Sequence, residues 1–236
     1  MFGPFKIPGT LEMGDLKLEV ARGENHIFYR RRLLGEEVEK KISAKGKKEF
    51  IIHPTPPIRT PKNISNHLMI DFERPLVIEP KSACSVFLTF PLEIGVFAEA
   101  RKKIRLLDVF SLGPPKYALY GEPTGGIICR SWSSEVHFSS PEALPFVEGV
   151  MELAIVNHTS EWTETANAVF DSKSMKIFHS PDRAVMKAHM KLRDKGTAET
   201  GFAKKARPRG MKRSLEIRNE SRLKIAPGSF VMEFGL

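Results

Sequence analysis

The chain predicts an all-β protein, mainly antiparallel, made of two sandwich-like β units with little helix. Three observations lead there. Apolar and charged residues alternate with the two-residue period of a half-buried strand, as in Leu16-Lys17-Leu18-Glu19-Val20. Short runs rich in Val, Ile and Phe recur along the whole length, each closed by Pro, Gly, Asp or Ser. Strands do not alternate with long helical patterns, as a doubly wound parallel sheet would require.

The elements follow in order. Glu49-Phe50-Ile51-Ile52 is a short strand closed by His53-Pro54-Thr55-Pro56-Pro57, where three prolines remove ladder donors and mark an extended loop or edge. His67 to Phe72 reads as a strand stopped by Arg74-Pro75. Leu76-Val77-Ile78 resumes and ends at the turn Glu79-Pro80-Lys81-Ser82. Val86 to Phe90 suits a pleated surface. Between Ile94 and Phe110 a helical stripe of Phe97, Ala100, Ile104 and Leu107 competes with a hairpin. The hairpin is preferred, because apolar residues crowd Ile94–Phe97 and Ile104–Phe110 while charges crowd Glu99–Lys103 between them.

The second half repeats the style. Gly126 to Trp132, Glu135 to Phe138, Val150 to Asn157, Ala166 to Phe170 and Met175 to Phe178 are strand-like. From Ala184 to Arg193 the even positions Met186, Ala188, Met190 and Leu192 are apolar and the odd ones polar, the pattern of one buried face. Leu215 to Arg218, Leu223 to Ile225 and Phe230 to Phe234 close the chain. Gly113-Pro114-Pro115 is the nearest thing to a seam and divides the chain into residues 1–113 and 114–236, each of a size typical of a β-sandwich. A single continuous β-rich domain also fits this length.

Composition narrows the class. With 236 residues, 41% of them apolar and 16 of them Phe, the chain can fill a core and is not a disordered polymer. Its two cysteines cannot staple a chain this long. Without a run of about 18 apolar residues or a signal-type amino terminus, the expectation is a cytoplasmic protein with no transmembrane segment. Gln is absent and charge is abundant, the tendency of heat-adapted proteins.

The net charge of +9 is concentrated in one place. Between Gly201 and Arg213 stand Lys204, Lys205, Arg207, Arg209, Lys212 and Arg213 with no acidic residue, which leaves an ordinary +3 for the rest. Pro208 and Gly210 keep this stretch from being a regular helix, so it reads as a mobile loop or hairpin tip. It is the candidate anion or nucleic-acid contact, with the salt dependence of any phosphate-binding patch. The plain alternative is a solvated loop paired with Glu199 and Glu216. Arg30-Arg31-Arg32 and Arg101-Lys102-Lys103 are smaller clusters that also suit strand edges protected by charge.

The second candidate is the Gly- and Tyr-rich stretch from Leu107 to Trp132, where Asp108, Lys116, Tyr117, Tyr120 and Arg130 could line a ligand loop. Gly125-Gly126 opens a strand rather than a helix, so it is not a phosphate loop. The competing reading is a turn-rich crossover between sheets with tyrosines packed over it. No histidine pair has ligand spacing, Cys84 and Cys129 belong to no CxxC, and no nucleophile elbow exists. Catalytic residues, metal ligands and a cofactor are therefore not predicted.

The block Pro91-Leu92-Glu93-Ile94-Gly95-Val96-Phe97, then Leu107-Asp108-Val109-Phe110-Ser111-Leu112, Lys116-Tyr117-Ala118-Leu119-Tyr120-Gly121 and Ile128-Cys129-Arg130, resembles an uncharacterised archaeal family, domain of unknown function 432. The resemblance extends through Glu148-Gly149-Val150-Met151-Glu152-Leu153 and Met175-Lys176-Ile177. It implies an archaeal origin and transfers no activity or site. The functional expectation is a non-catalytic binding or assembly module that meets another protein or itself. A nucleic-acid binder using residues 204–213 and a small-ligand binder or enzyme using residues 107–132 are the alternatives.

Overall fold

Alternation alone builds the first layer. In the computed structural model, which describes residues 1–43, 48–101, 103–203, 208–216 and 229–236, the chain opens with β1 (Gly3–Phe5). A meander follows: β2 (Gly9–Met13), β3 (Leu16–Arg22), β4 (His26–Leu33) and β5 (Glu36–Ser43), paired in sequence order. Leu16, Leu18 and Val20 of β3 and Ile27, Tyr29 and Leu33 of β4 are buried, while the charges of β5 leave that edge in water.

Next come β6 (Glu49–Thr55), β7 (His67–Ile78), β8 (Ala83–Pro91), β9 (Glu93–Ala100) and β10 (Lys103–Phe110). A four-stranded sheet has the order β1-β6-β9-β10, and its β9–β10 pair is the predicted antiparallel hairpin, with a register shift between Leu106 and Asp108. The expectation that prolines would end the neighbouring strands is corrected. β6 runs through Pro54, paired to Ile94 of β9, whereas β1 covers only Phe50 to Ile52 on the other side. Pro54 thus sits where its missing N–H costs no ladder bond. Likewise β7 continues past Pro75 to Ile78, because β12 accompanies it only to Phe72 and its pairing with β14 is bulged around Ala166.

The later strands are β11 (Tyr117–Tyr120), β12 (Ile127–Ser134), β13 (Glu148–Asn157), β14 (Thr163–Asp171), β15 (Phe178–His179), β16 (Ala184–Leu192), β17 (Ala198–Phe202), β18 (Lys212–Arg213) and β19 (Ser229–Met232). A 3-10 turn, Ser172–Ser174, is capped by Asp171, whose Oδ1 accepts the Lys173 N–H at 3.0 Å. One sheet has the order β11-β12-β7-β14, and another runs β18-β15-β16-β13-β8, with β17 joined to β16 and β19 to β17. Among the described residues, pairing is antiparallel except for β12 with β7 and β13 with β16. The protein is all-β and mainly antiparallel, as predicted.

Two further readings change. Glu135 to Phe138 forms only a bridge between His137 and Phe87, and in Met175 to Phe178 the strand begins at Phe178. Leu215 and Glu216 are not in a strand, and residues 217–228 lie outside the described residues. The division at Gly113 does not follow the sheets. β7 and β8 precede it, yet they are hydrogen-bonded to β12, β14 and β13, which follow it. Buried residues from all four sheets, among them Phe50, Leu18, Phe170 and Leu153, belong to one contiguous core. Across two of the sheets, Trp132 Nε1 donates to Thr89 Oγ1 at 3.0 Å and the Thr89 N–H donates to Ser134 Oγ at 2.9 Å.

Candidate functional site: the cleft under a basic strap

The stretch from Leu107 to Trp132 is spread over three places. Asp108 joins two sheets: Tyr29 Oη and Arg31 Nε of β4 both donate to its Oδ2 at 2.7 Å, and the Arg31 guanidinium lies 5.0 Å from the centre of the Phe110 ring. Burial, followed by the charge and hydrogen bond of Asp108, pushes the Tyr29 hydroxyl far above its ordinary range, so it remains a proton donor to the carboxylate.

Tyr117 and Arg130 are cross-strand partners on β11 and β12, with the guanidinium 5.7 Å from the ring centre. Both donate to the Thr60 carbonyl, each at 3.4 Å. Beside them Glu93, fully buried, accepts the backbone N–H groups of Arg59 at 3.0 Å and Thr60 at 2.8 Å. Burial raises the Glu93 carboxyl above its usual value, opposed by these bonds and by the charge of Arg130. Tyr120 binds the carboxy-terminal end of the chain: its hydroxyl donates to the Gly235 carbonyl at 2.9 Å and accepts the Phe234 N–H at 3.1 Å. Lys116 is exposed and contributes its backbone carbonyl to Ser131. The structure therefore brings Tyr117 and Arg130 together and leaves Asp108, Lys116 and Tyr120 in other surroundings.

Of the basic stretch, Lys204, Lys205 and Arg207 lie outside the described residues. Arg209, Lys212 and Arg213 belong to a strap, residues 208–216, that joins the edge of the sheet containing β16. Its turn is closed by the Met211 N–H donating to the Pro208 carbonyl at 3.2 Å. β18 then pairs with β15, placing Arg213 opposite Phe178 and Lys212 opposite His179. The Ser214 N–H donates to the Ile177 carbonyl at 2.9 Å, and the Leu215 N–H donates to His53 Nδ1 at 3.0 Å. Arg213 is ion-paired with Glu216, while Arg209 and Lys212 face water.

Beneath the strap is a cleft of about 360 Å³. The strand register explains its floor. β16 buries its even positions, so the odd ones face outward, and pairing sets Val185 beside Val150 and Lys187 beside Glu152, with Phe87 of β8 on the far side of Glu152. Pro208 and Met211 of the strap form a wall. At the mouth stand Lys187, with Nζ 2.7 Å from Glu152 Oε2, and exposed Arg183, which donates to Ser140 Oγ. The arrangement combines an apolar trough with two cations and one carboxylate. The alternation in Ala184 to Arg193 marked the outward face of β16; only the pairing of β8, β13 and β16 shows what that face assembles.

Sequence spacing also left unseen a pair of buried rings, His53 on β6 and His179 on β15, whose centroids are 4.4 Å apart. Among the described residues no group of three or more His, Cys, Asp or Glu converges as a metal site. Cys84 is half-buried and Cys129 buried, both as free thiols; burial, then the charge of Asp71, pushes Cys129 up to about 12. Among the described residues no helix is long and apolar enough to cross a membrane.

A family model described as a protein of unknown function, DUF432, matches residues 1–233. No curated protein and no solved structure matches the chain. The chain belongs to the DUF432 family.

Proposed function

We propose that this member of the DUF432 family is a non-catalytic binding module, and that it holds a small apolar molecule with one acidic group in the cleft under the strap. The cleft itself carries the reading: its volume of about 360 Å³ falls in the ordinary range for small-ligand sites, roughly 300–1,000 Å³. Val150, Val185, Phe87 and Met211 offer an apolar lining, and a guanidinium at the mouth suits a planar acidic group. Glu152 is satisfied by Lys187, so the remaining charge at the mouth is that of Arg183. Free Cys84 and Cys129 suit a reducing cytoplasm, and the absence of Gln supports a heat-adapted, archaeal source.

Anilinonaphthalene sulfonate, an apolar ring system with one anionic group, is the direct probe. Saturable fluorescence enhancement at pH 7.5, displaced by dodecanoate and not by dodecanol, is the expected result. Val185→Trp should fill the trough and abolish binding; Arg183→Ala should weaken it about tenfold, the loss of one charge-assisted contact. Displacement by the alcohol as effectively as by the acid, or unchanged binding in Val185→Trp, overturns the reading.

A second reading rests on Arg209 and Lys212, two exposed cations of the strap. They would meet the backbone of a nucleic acid, with affinity falling steeply as salt rises. Titration of labelled DNA and RNA at several salt concentrations tests it. Absence of binding at low salt, or binding unaltered when Arg209 and Lys212 are neutralised, removes it.

A further inference from the structure

The strap is seated on its far side by the two buried histidines. His53 is 8% exposed and His179 3%. Phe2 packs against His179 with ring centroids 5.7 Å apart, and Phe97 of β9 packs against His53 at 6.3 Å. His53 Nδ1 accepts the Leu215 N–H, so that nitrogen carries no proton while the strap is docked. His179 Nδ1 lies 3.3 Å from the Ser180 carbonyl, and its Nε2 is buried without a partner. A proton on His53 Nδ1 would set N–H against N–H, and a charge on either ring would be poorly solvated in this largely buried setting.

We propose that the His53–His179 pair is an acid-released latch: on protonation, residues 208–216 leave β15 and the cleft loses the wall made by Pro208 and Met211. The groups around the pair favour release. The chain ahead of β1 and strand β9 present only the apolar rings of Phe2 and Phe97. On β18, Lys212 adds positive charge against both rings, and its neighbour Arg213 is held by Glu216. Ser180 presents its carbonyl to His179 and turns its hydroxyl to Asp182, whose charge acts on the amino terminus. Burial is the main reason that His53 titrates at about 4 rather than 6.5, with His179 and Lys212 adding to it. Burial also lowers His179; its contact with the Ser180 carbonyl opposes the shift and Lys212 reinforces it.

The sign follows from proton linkage. Released histidines bind protons below their ordinary value of 6.5, whereas docked His53 resists until about 4. Docking is therefore fully favoured above pH 6.5 and is progressively lost as the pH falls from there towards 4. Gating of a ligand by this latch rests on the cleft reading above; release of the strap does not.

Hydrogen–deuterium exchange of the full chain without ligand, at pH 7.5, 6 and 5 and corrected for the intrinsic rate, separates the two. The amides of Lys212 to Leu215 should exchange about tenfold faster at pH 5 than at pH 7.5, the loss that linkage assigns to about one unit of unmatched protonation, while β13 remains protected. His53→Gln keeps an oxygen acceptor for Leu215 and cannot take up the proton, so its strap should lose most of its response to pH. His179→Asn should reduce the response, and protection of β13 at pH 7.5 reports that each variant is folded. A strap that follows the intrinsic rate alone, or a wild-type response retained in both variants, overturns the latch. If the strap releases in acid but the probe fails to bind at pH 7.5, the latch stands and the cleft reading falls. If the probe binds at pH 7.5 and the strap is insensitive to pH, the latch falls and the cleft reading stands.

Discussion

Tyr117 and Arg130 face each other across β11 and β12 and donate to the same acceptor, the carbonyl of Thr60. Their shared target belongs to the segment whose backbone N–H groups are held by Glu93. The positive charge of Arg130 is thus placed near a fully buried carboxylate, and the three residues anchor the segment between β6 and β7. Arg130→Met removes one cation that favours the Glu93 carboxylate and leaves it with the backbone donors of Arg59 and Thr60. The expected loss is about 3 kcal/mol of unfolding free energy, read from urea denaturation. Arg130→Met with Glu93→Gln should recover much of it, since an amide still accepts from Arg59 or Thr60 and carries no charge.

Asp108 has a comparable role between β10 and β4. Asp108→Ala deprives Tyr29 and Arg31 of their common acceptor in a setting where both are buried, and should cost about 3–5 kcal/mol. Pairing it with Arg31→Met should restore a large part of the loss. Strictly additive losses in that double-mutant cycle would show that the two side chains are not coupled.

Stability should respond to acid through His53. Its folded-state pKa of about 4 lies below 6.5, so between those values the unfolded chain binds the extra proton and stability falls as the pH is lowered. Allowing for screening of a ring that water partly reaches, the loss is up to about 2 kcal/mol, and His53→Gln should remove it. Glu93 works in the opposite direction. Its carboxyl is raised in the folded state, so it favours the fold at low pH and becomes a cost as the pH climbs through and beyond 4.5. Melting temperatures of the wild type, His53→Gln and Glu93→Gln between pH 4 and 7 separate the two slopes.

Gly149 is required for a steric reason. It lies directly across from Phe90 of β8, and a Cβ placed there would come within 2.6 Å of Phe90 Cε1. Phe90 is fully buried and has no open side to move into. Gly149→Ala should cost about 2 kcal/mol, and adding Phe90→Leu should ease the clash while losing packing of its own. Thermal melts of the single and double variants test the relationship.

The legible part of this fold is what depends on near neighbours in the chain. The alternation of Met186, Ala188, Met190 and Leu192 became the buried face of β16, and the apolar runs on either side of Glu99–Lys103 became the paired strands β9 and β10, which extend into that charged stretch as far as Ala100 and Lys103. Pro54 and Pro75 misled because a proline stops a strand only where a partner needs its N–H, and the position of that partner is not local information. The same limit applies to function. Tyr117 and Arg130 are close in the chain and close in the fold, but the residues that brace them, Glu93 and Thr60, carry no local motif. His53 and His179 meet where β6 and β15 both bond to residues 208–216, and the cleft exists only because β8, β13 and β16 are neighbours in one sheet.

The pairing of β8 with β13, and of β13 with β16, has a consequence for how the chain acquires its structure. During synthesis β8 must wait without its strand partner until residues 148–157 emerge, and β13 in turn waits for residues 184–192. β7 is bound to both β12 and β14 and waits as well. Long-range pairing of this kind makes folding slow and keeps strand edges available to wrong partners in the interval. A ribosome stalled near residue 113 would therefore carry β7 and β8 as two sticky, unmatched strands, and a chaperone would find its best target in the nascent chain between that point and the appearance of β16.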